Sequence, residues 1–286
     1  MITQERHKRS GEYYAKVLWG MSERRTSRRI DRLDVPQDDK DLAKQLLTSH
    51  KNRYSSVAAL EVPHLALSPA EKLGVVFFIS SIFAVDDLID TNKKNGSTNL
   101  FSEQLDTLKV RDTGITVAQL RDKVYDSFAG DKRTLLERYY ASMLELHNQG
   151  HVAPAGTYSF KDAWEYKENT TVPFVETVAD LVGFDANRRN DVSAGAMALQ
   201  LVDDANDIAQ DTQEKSMNIY LGLATDNGEL SQIDCALRNK DLTRTELFKA
   251  APLTHAQYLN LFDVAVSHLS KPGRRGILRA IGRIYM

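Results

Sequence analysis

A single cysteine, Cys235, stands in the 286-residue chain, so no disulfide can form within it, and a reducing, cytoplasmic setting is expected. Positive charge is not in excess: 37 Lys and Arg against 39 Asp and Glu leave a net charge of −2, which argues against nucleic acid as the main partner. Long apolar runs are missing too. The longest uncharged apolar stretch, Leu73 to Val85, has 13 residues, short of the roughly 20 a membrane helix requires, so no integral membrane segment is expected. The opening MITQERHKRSGEYY has no apolar core and does not read as a signal peptide. Walker, GxGxxG and kinase signatures are absent, which argues against nucleotides. The seven histidines show no ligand spacing. No sustained β-branched alternation, strand-flanked Asn-Gly turn, solenoid repeat or low-complexity tract occurs.

Helix signals fill the space that these absences leave. Ser68-Pro69-Ala70-Glu71 combines an N-cap, a proline at the first helical position and a capping-box glutamate, opening a buried helix through Val85. Residues 131–150 carry apolar side chains at helical spacing and stop at Gly150. Ser159 and Asp162 open a helix toward Gly183, with Pro173 inside it as a kink or break. One long helix is expected over 187–213, with the next loop at GLATDNGE, 222–229. Thr254 and Gln257 read as a capping box for a helix ending before Lys271-Pro272-Gly273. The expected architecture is all-α: a charged N-terminal arm over 1–40, broken at Pro36, then one all-helical domain of about ten helices over 41–286.

The acidic residues carry the chemistry. FAVDDLID ends the most apolar segment with Asp86, Asp87 and Asp90, of which Asp86 and Asp90 share a face at i and i+4. A second cluster follows in ALQLVDDANDIAQDTQEKSMNIYL, 198–221. There Asp203, Asp207 and Asp211 recur every four residues, and Asn206, Gln210 and Glu214 do the same on a neighbouring strip. Two like charges about 6 Å apart repel by about 3 kcal/mol at an effective dielectric of 20, so facing acidic strips in an apolar surrounding stay ionised only with cations present. All candidate ligands are oxygens, which selects Mg²⁺ first and Mn²⁺ second over zinc. Mg²⁺ joins carboxylates to substrate phosphates, so a diphosphate attached to something apolar is the implied ligand.

At these residues the chain resembles the class I isoprenoid synthases. DDLID resembles their DDxxD motif, and the likeness runs in motif order over roughly residues 60–221. It implies a helical bundle with a central apolar cavity. The second motif resembles three branches. Asn206, Asp207 and Glu214 match a terpene cyclase NDxxSxxxE, with Gln210 where Ser or Thr is usual. Asp203, Asp204 and Asp207 match the second DDxxD of an elongating prenyl diphosphate synthase, and Asp207 and Asp211 before Ile219-Tyr220-Leu221 are close to squalene and phytoene synthases. The basic segments of elongating synthases are poorly matched, by Lys51-Asn52-Arg53 and Lys93-Lys94-Asn95-Gly96, whereas Arg283-Ile284-Tyr285 stands near the cyclase arginine-tyrosine pair.

A terpene cyclase is therefore the favoured expectation: Mg²⁺-dependent ionisation of an allylic prenyl diphosphate, then cyclisation or rearrangement. The resemblance implies metal ligands among Asp86, Asp87, Asp90, Asp203, Asn206, Asp207, Gln210 and Glu214, with Lys215, Arg283 and Tyr285 holding diphosphate. Phe77, Phe78, Phe83, Trp164 and Phe174 would line the cavity and stabilise cations. A homodimer is compatible with it. The rivals are a prenyl-coupling enzyme and a non-catalytic helical protein whose acidic faces bind metal or a cationic partner.

Overall fold

The computed structural model describes residues 27–49, 67–94, 102–110, 113–148, 158–184, 189–214, 216–239 and 242–286. Among them every regular element is a helix, and the one β pairing is an isolated bridge between Lys109 and Thr116. No described helix is long and apolar enough to cross a membrane. The chain gathers into two compact units, one of residues 1–89 and 101–134, the other of residues 90–100 and 135–286.

In the first unit, a helical turn at 27–31 gives way to a bend, and Pro36 immediately precedes α1 (Gln37–Ser49), which buries Leu42, Ala43, Leu46 and Leu47. Residue 40, where the sequence places the end of the charged arm, lies in the first turns of α1. Helix α2 (Pro69–Lys94) starts where the sequence places it: Ser68 N–H donates to Glu71 Oε2 at 2.8 Å, and Glu71 N–H donates to Ser68 Oγ at 3.2 Å. Every residue from Leu73 to Ser81 is buried, and the serine hydroxyls turn back onto the carbonyls of Val76 and Phe78. After α3 (Ser102–Thr107), α4 (Val117–Ser127) adds Val117, Leu120 and Val124 to the core. Helix α5 (Asp131–Asn148) opens here, where Lys132 Nζ reaches Glu71 Oε1 at 2.6 Å.

The second unit is built on two long helices, α6 (Phe160–Leu181) and α7 (Arg189–Glu214), which pack against each other. The Ser159–Asp162 capping box forms as expected, and Gly183 follows the helix with φ of 73°. Helix α6 runs through Pro173 without a break, because packing on its neighbours supports both halves. The loop expected at 222–229 is largely a helix, α8 (Ile219–Asp226), with Asn227-Gly228 as the turn. Six consecutive α8 residues, Ile219 to Ala224, are buried, and the Asn218 side chain caps Tyr220 and Leu221 N–H. Helices α9 (Leu230–Leu237) and α10 (Arg244–Ala250) lead to α11 (Pro252–Ser267) and α12 (Pro272–Tyr285), both packed on α7. Helix α11 starts ahead of the expected capping box. Thr254 and Gln257 instead accept from Asn227 Nδ2, and the helix start is capped from a distance by Glu229, which accepts from Leu253 and Thr254 N–H.

Helix α8 reaches α6 through a glycine. A Cβ at Gly222 would lie 2.7 Å from the Ser159 carbonyl oxygen, a backbone atom that cannot swing aside. Gly222→Ala is expected to destabilise the fold by about 1–3 kcal/mol, read as a lowered urea midpoint. An unchanged midpoint would mean that α8 does not approach α6 this closely.

Candidate functional site

Helix α7 carries the second acidic motif, and apolar residues occupy its inner side. Met197, Ala198, Leu201, Val202, Ala205 and Ile208 belong to one buried cluster with Ile219, Tyr220, Tyr258 and Phe262. Tyr258 OH also donates to the Leu201 carbonyl at 2.6 Å, which ties α11 to the same face. With that side inward, the polar residues spread around the rest of the helix. Counting about 100° per residue, Asp204 and Asp211 stand within about 20° of each other, Asp207, Glu214 and Asp203 follow over the next ~80°, and Gln210 and Asn206 lie beyond. Burial falls along the first part of that arc and returns at its end: Asp204 is 1% exposed, Asp207, Asp211 and Glu214 are half-buried, Asp203 and Gln210 are exposed, and Asn206 is half-buried again.

Asp204 is fully engaged inside the fold. Its Oδ1 accepts from Lys167 Nζ at 3.0 Å and from Gln200 Nε2 at 2.7 Å, and its Oδ2 accepts from Ile219 N–H at 2.6 Å. Gln200 is held in turn by Thr171 Oγ1. Asn218 Nδ2 donates both to the Asp204 carbonyl and to Asp211 Oδ2, each at 2.7 Å. Tyr158 closes the network, its OH accepting from Asn218 N–H at 2.9 Å and donating to the Ser216 carbonyl at 3.0 Å. Burial works against the Lys167 charge, but Asp204 and Asp211 outweigh it and hold the ammonium above the ordinary lysine value. Tyr158 is raised chiefly by burial.

Asp211 is the titratable member. Burial pushes its carboxyl up to about 7, helped by Asp204 and Asp207 and opposed by Asn218 and Lys167. Its folded value thus stands above the ordinary 3.8, so the folded chain binds this proton more tightly than the unfolded one. The resulting stabilisation is complete below about pH 4 and is lost as pH rises through about 7. In chelator-treated buffer, the melting temperature of wild type relative to Asp211→Asn should therefore fall between pH 4 and 7 and level off above; a constant difference would place Asp211 in ordinary solvent.

The outer strip has a different chemistry. Asn206 Nδ2 donates to the Val202 carbonyl at 2.9 Å, and Gln210 Nε2 donates to Glu214 Oε1 at 3.3 Å. Both amides thereby use an N–H group within their own helix. Asn206, Gln210 and Glu214, at i, i+4 and i+8, form an all-oxygen donor set that suits a hard divalent cation. Among the described residues, no group of three or more His, Cys, Asp and Glu side chains converges as a metal site.

The first motif lies near the C-terminal end of α2, where Asp86 is exposed. The side chains of Asp87 and Asp90, like those of Arg283 and Tyr285 on α12, lie outside the described residues, as does Lys215 altogether. Phe77 and Phe78 are buried in the first unit's core and Phe83 is half-buried there. In the second unit, Trp164 leans on Phe160 with ring centroids 5.6 Å apart and packs against the α7 cluster, and Phe174 is half-buried. Sequence reasoning missed the interior network of Tyr158, Lys167, Gln200, Asp204 and Asn218. A signal for it exists: Asp204 sits among Leu201, Val202, Ala205 and Ile208, at the spacing of a buried face.

No protein-family model, curated protein or solved structure matches the chain.

Proposed function

We propose that this chain is a Mg²⁺-dependent class I terpene synthase that ionises an allylic prenyl diphosphate and cyclises or rearranges the hydrocarbon. The observation that carries the reading is the division of labour on α7. Asp204 and Asp211 are tied into the interior through Ile219 and Asn218, while Asn206, Gln210 and Glu214, of which Gln210 is exposed and the other two half-buried, bond only within α7 in the contacts described above. An elongating synthase would draw on Asp204, and a squalene or phytoene synthase on Asp211, as cation ligands. The cyclase pattern uses neither.

Asn206, Gln210 and Glu214 of the second motif, and Asp86 and Asp90 of the first, are each proposed as metal ligands; bound metal supplies Lewis-acid withdrawal of charge from the diphosphate oxygens. The carboxylates of Asp86 and Glu214 balance cationic charge and orient the leaving group. Arg283, Tyr285 and Lys215 would grip the departing diphosphate by charge-assisted bonds. Phe77, Phe78, Phe83, Trp164 and Phe174 are the aromatic residues proposed to exclude water and stabilise the carbocation.

Purified protein with Mg²⁺ and geranyl, farnesyl or geranylgeranyl diphosphate, each alone and with isopentenyl diphosphate, tests the proposal. Release of pyrophosphate with a terpene hydrocarbon or alcohol from one allylic substrate supports it. Product only when isopentenyl diphosphate is added, product joining two allylic chains, or no pyrophosphate at all would each overturn the cyclase assignment.

A further inference from the structure

We infer that Lys167 is a positioning residue, which acts through Asp204 and the 216–219 junction to hold the Asn206, Gln210 and Glu214 strip in register; its metal-related consequence rests on the function proposed above. Charge is a poor way to fill the inside of a helical bundle, because apolar residues of similar volume hold such a place at least as well. Yet Lys167 and Asp204 are 17% and 1% exposed in side-chain terms and paired at 3.0 Å. A buried ion pair with directed partners admits one arrangement, whereas apolar packing tolerates small rotations of a helix about its axis.

The partners show which arrangement is held. Lys167 comes from α6, Gln200 from α7 itself and the Ile219 N–H from the first turn of α8, so one carboxylate joins three helices. Asn218 then joins the Asp204 carbonyl to the Asp211 side chain, two turns further along α7, through one amide group. Tyr158 fixes the same junction from the residue just ahead of the α6 cap. The strip residues Asn206 and Gln210 lie between these two anchors, and Glu214 lies three residues beyond the second. Turning α7 by even one residue's angle, about 100°, would exchange Asp203 for Asp204 on the inner side and carry the oxygen strip away. The pair thus selects which of two adjacent aspartates is structural and which faces outward.

The test uses the full chain and three variants. The double variant Lys167→Met with Asp204→Asn removes both charges yet keeps an acceptor for Ile219 N–H. Tyr158→Phe loosens the junction with the ion pair intact, and Lys167→Arg keeps the charge. Hydrogen exchange is followed by mass spectrometry over 211–219 and, as reference, over 252–267. The Mg²⁺ half-saturation for pyrophosphate release is measured well below the melting temperature.

The double variant should exchange about tenfold faster over 211–219 with 252–267 unchanged, and its Mg²⁺ half-saturation should rise about tenfold, as for other groups that orient metal ligands. Tyr158→Phe should show a smaller change of the same kind, and Lys167→Arg should stay near wild type in both. Unchanged exchange over 211–219 in both loosened variants, or an equal rise over both segments, would overturn the inference. So would an unaltered Mg²⁺ dependence in an active, locally loosened variant. A wild type that releases no pyrophosphate overturns the proposed function instead, and the exchange pattern alone then decides the positioning role.

Discussion

Asn206→Ala and, separately, Asp86→Ala should each lower Mg²⁺-dependent pyrophosphate release by on the order of 10²–10³-fold while leaving the helical content and melting temperature close to wild type. The magnitude is that of removing one preorganised group that stabilises charge developing in the transition state. The small effect on folding follows from their surroundings. Asp86 is exposed, and the side-chain amide of Asn206 donates only to a carbonyl of its own helix, at 2.9 Å. Bonds of this kind contribute little to helix stability and compete with the regular ladder. Gln210→Ala should behave like Asn206→Ala if the i, i+4, i+8 strip is the ligand set. Full activity in Asn206→Ala, with folding intact, would remove α7 from the proposed chemistry.

Asp204→Ala should fail in the opposite manner, through a large loss of stability. The substitution leaves the Lys167 ammonium buried without its nearest counter-charge and deprives Gln200 Nε2 and Ile219 N–H of their acceptor. Removing one partner of a buried pair costs about 3–5 kcal/mol, a large share of the 5–15 kcal/mol that holds a typical domain together. The neighbouring Asp203→Ala, on the exposed side of the same helix, should change stability by no more than about 0.5 kcal/mol. Urea unfolding of the two variants side by side checks this, and equal midpoints would mean that α7 is rotated differently from the arrangement described.

This contrast between adjacent aspartates marks where local reading stops. Helix starts were legible where the stop and start chemistry is short-ranged. Ser68 with Glu71 and Ser159 with Asp162 each close a capping box within four residues, and Gly183 takes the positive φ expected after a helix end. Where a start is capped from afar, local pattern misplaces it: Glu229 caps α11 across 24 and 25 residues, so the Thr254–Gln257 pattern points three residues too late. GLATDNGE carries turn residues, yet most of it is helix because the Asn218 cap and burial against α6, α7 and α11 outweigh local turn preference.

The amino-acid order alone therefore settled the helical class, several of the segment boundaries and the presence of an oxygen-rich face on α7, since each depends on contacts within one or two turns. Which edge of that face turns inward was decided by Lys167 and Asn218, residues 7 to 37 positions away from the aspartates they bind, and by Tyr158, which holds Asn218 in place. Helical periodicity specifies the angles between side chains, but the absolute rotation of a helix is set only by the partners packed against it.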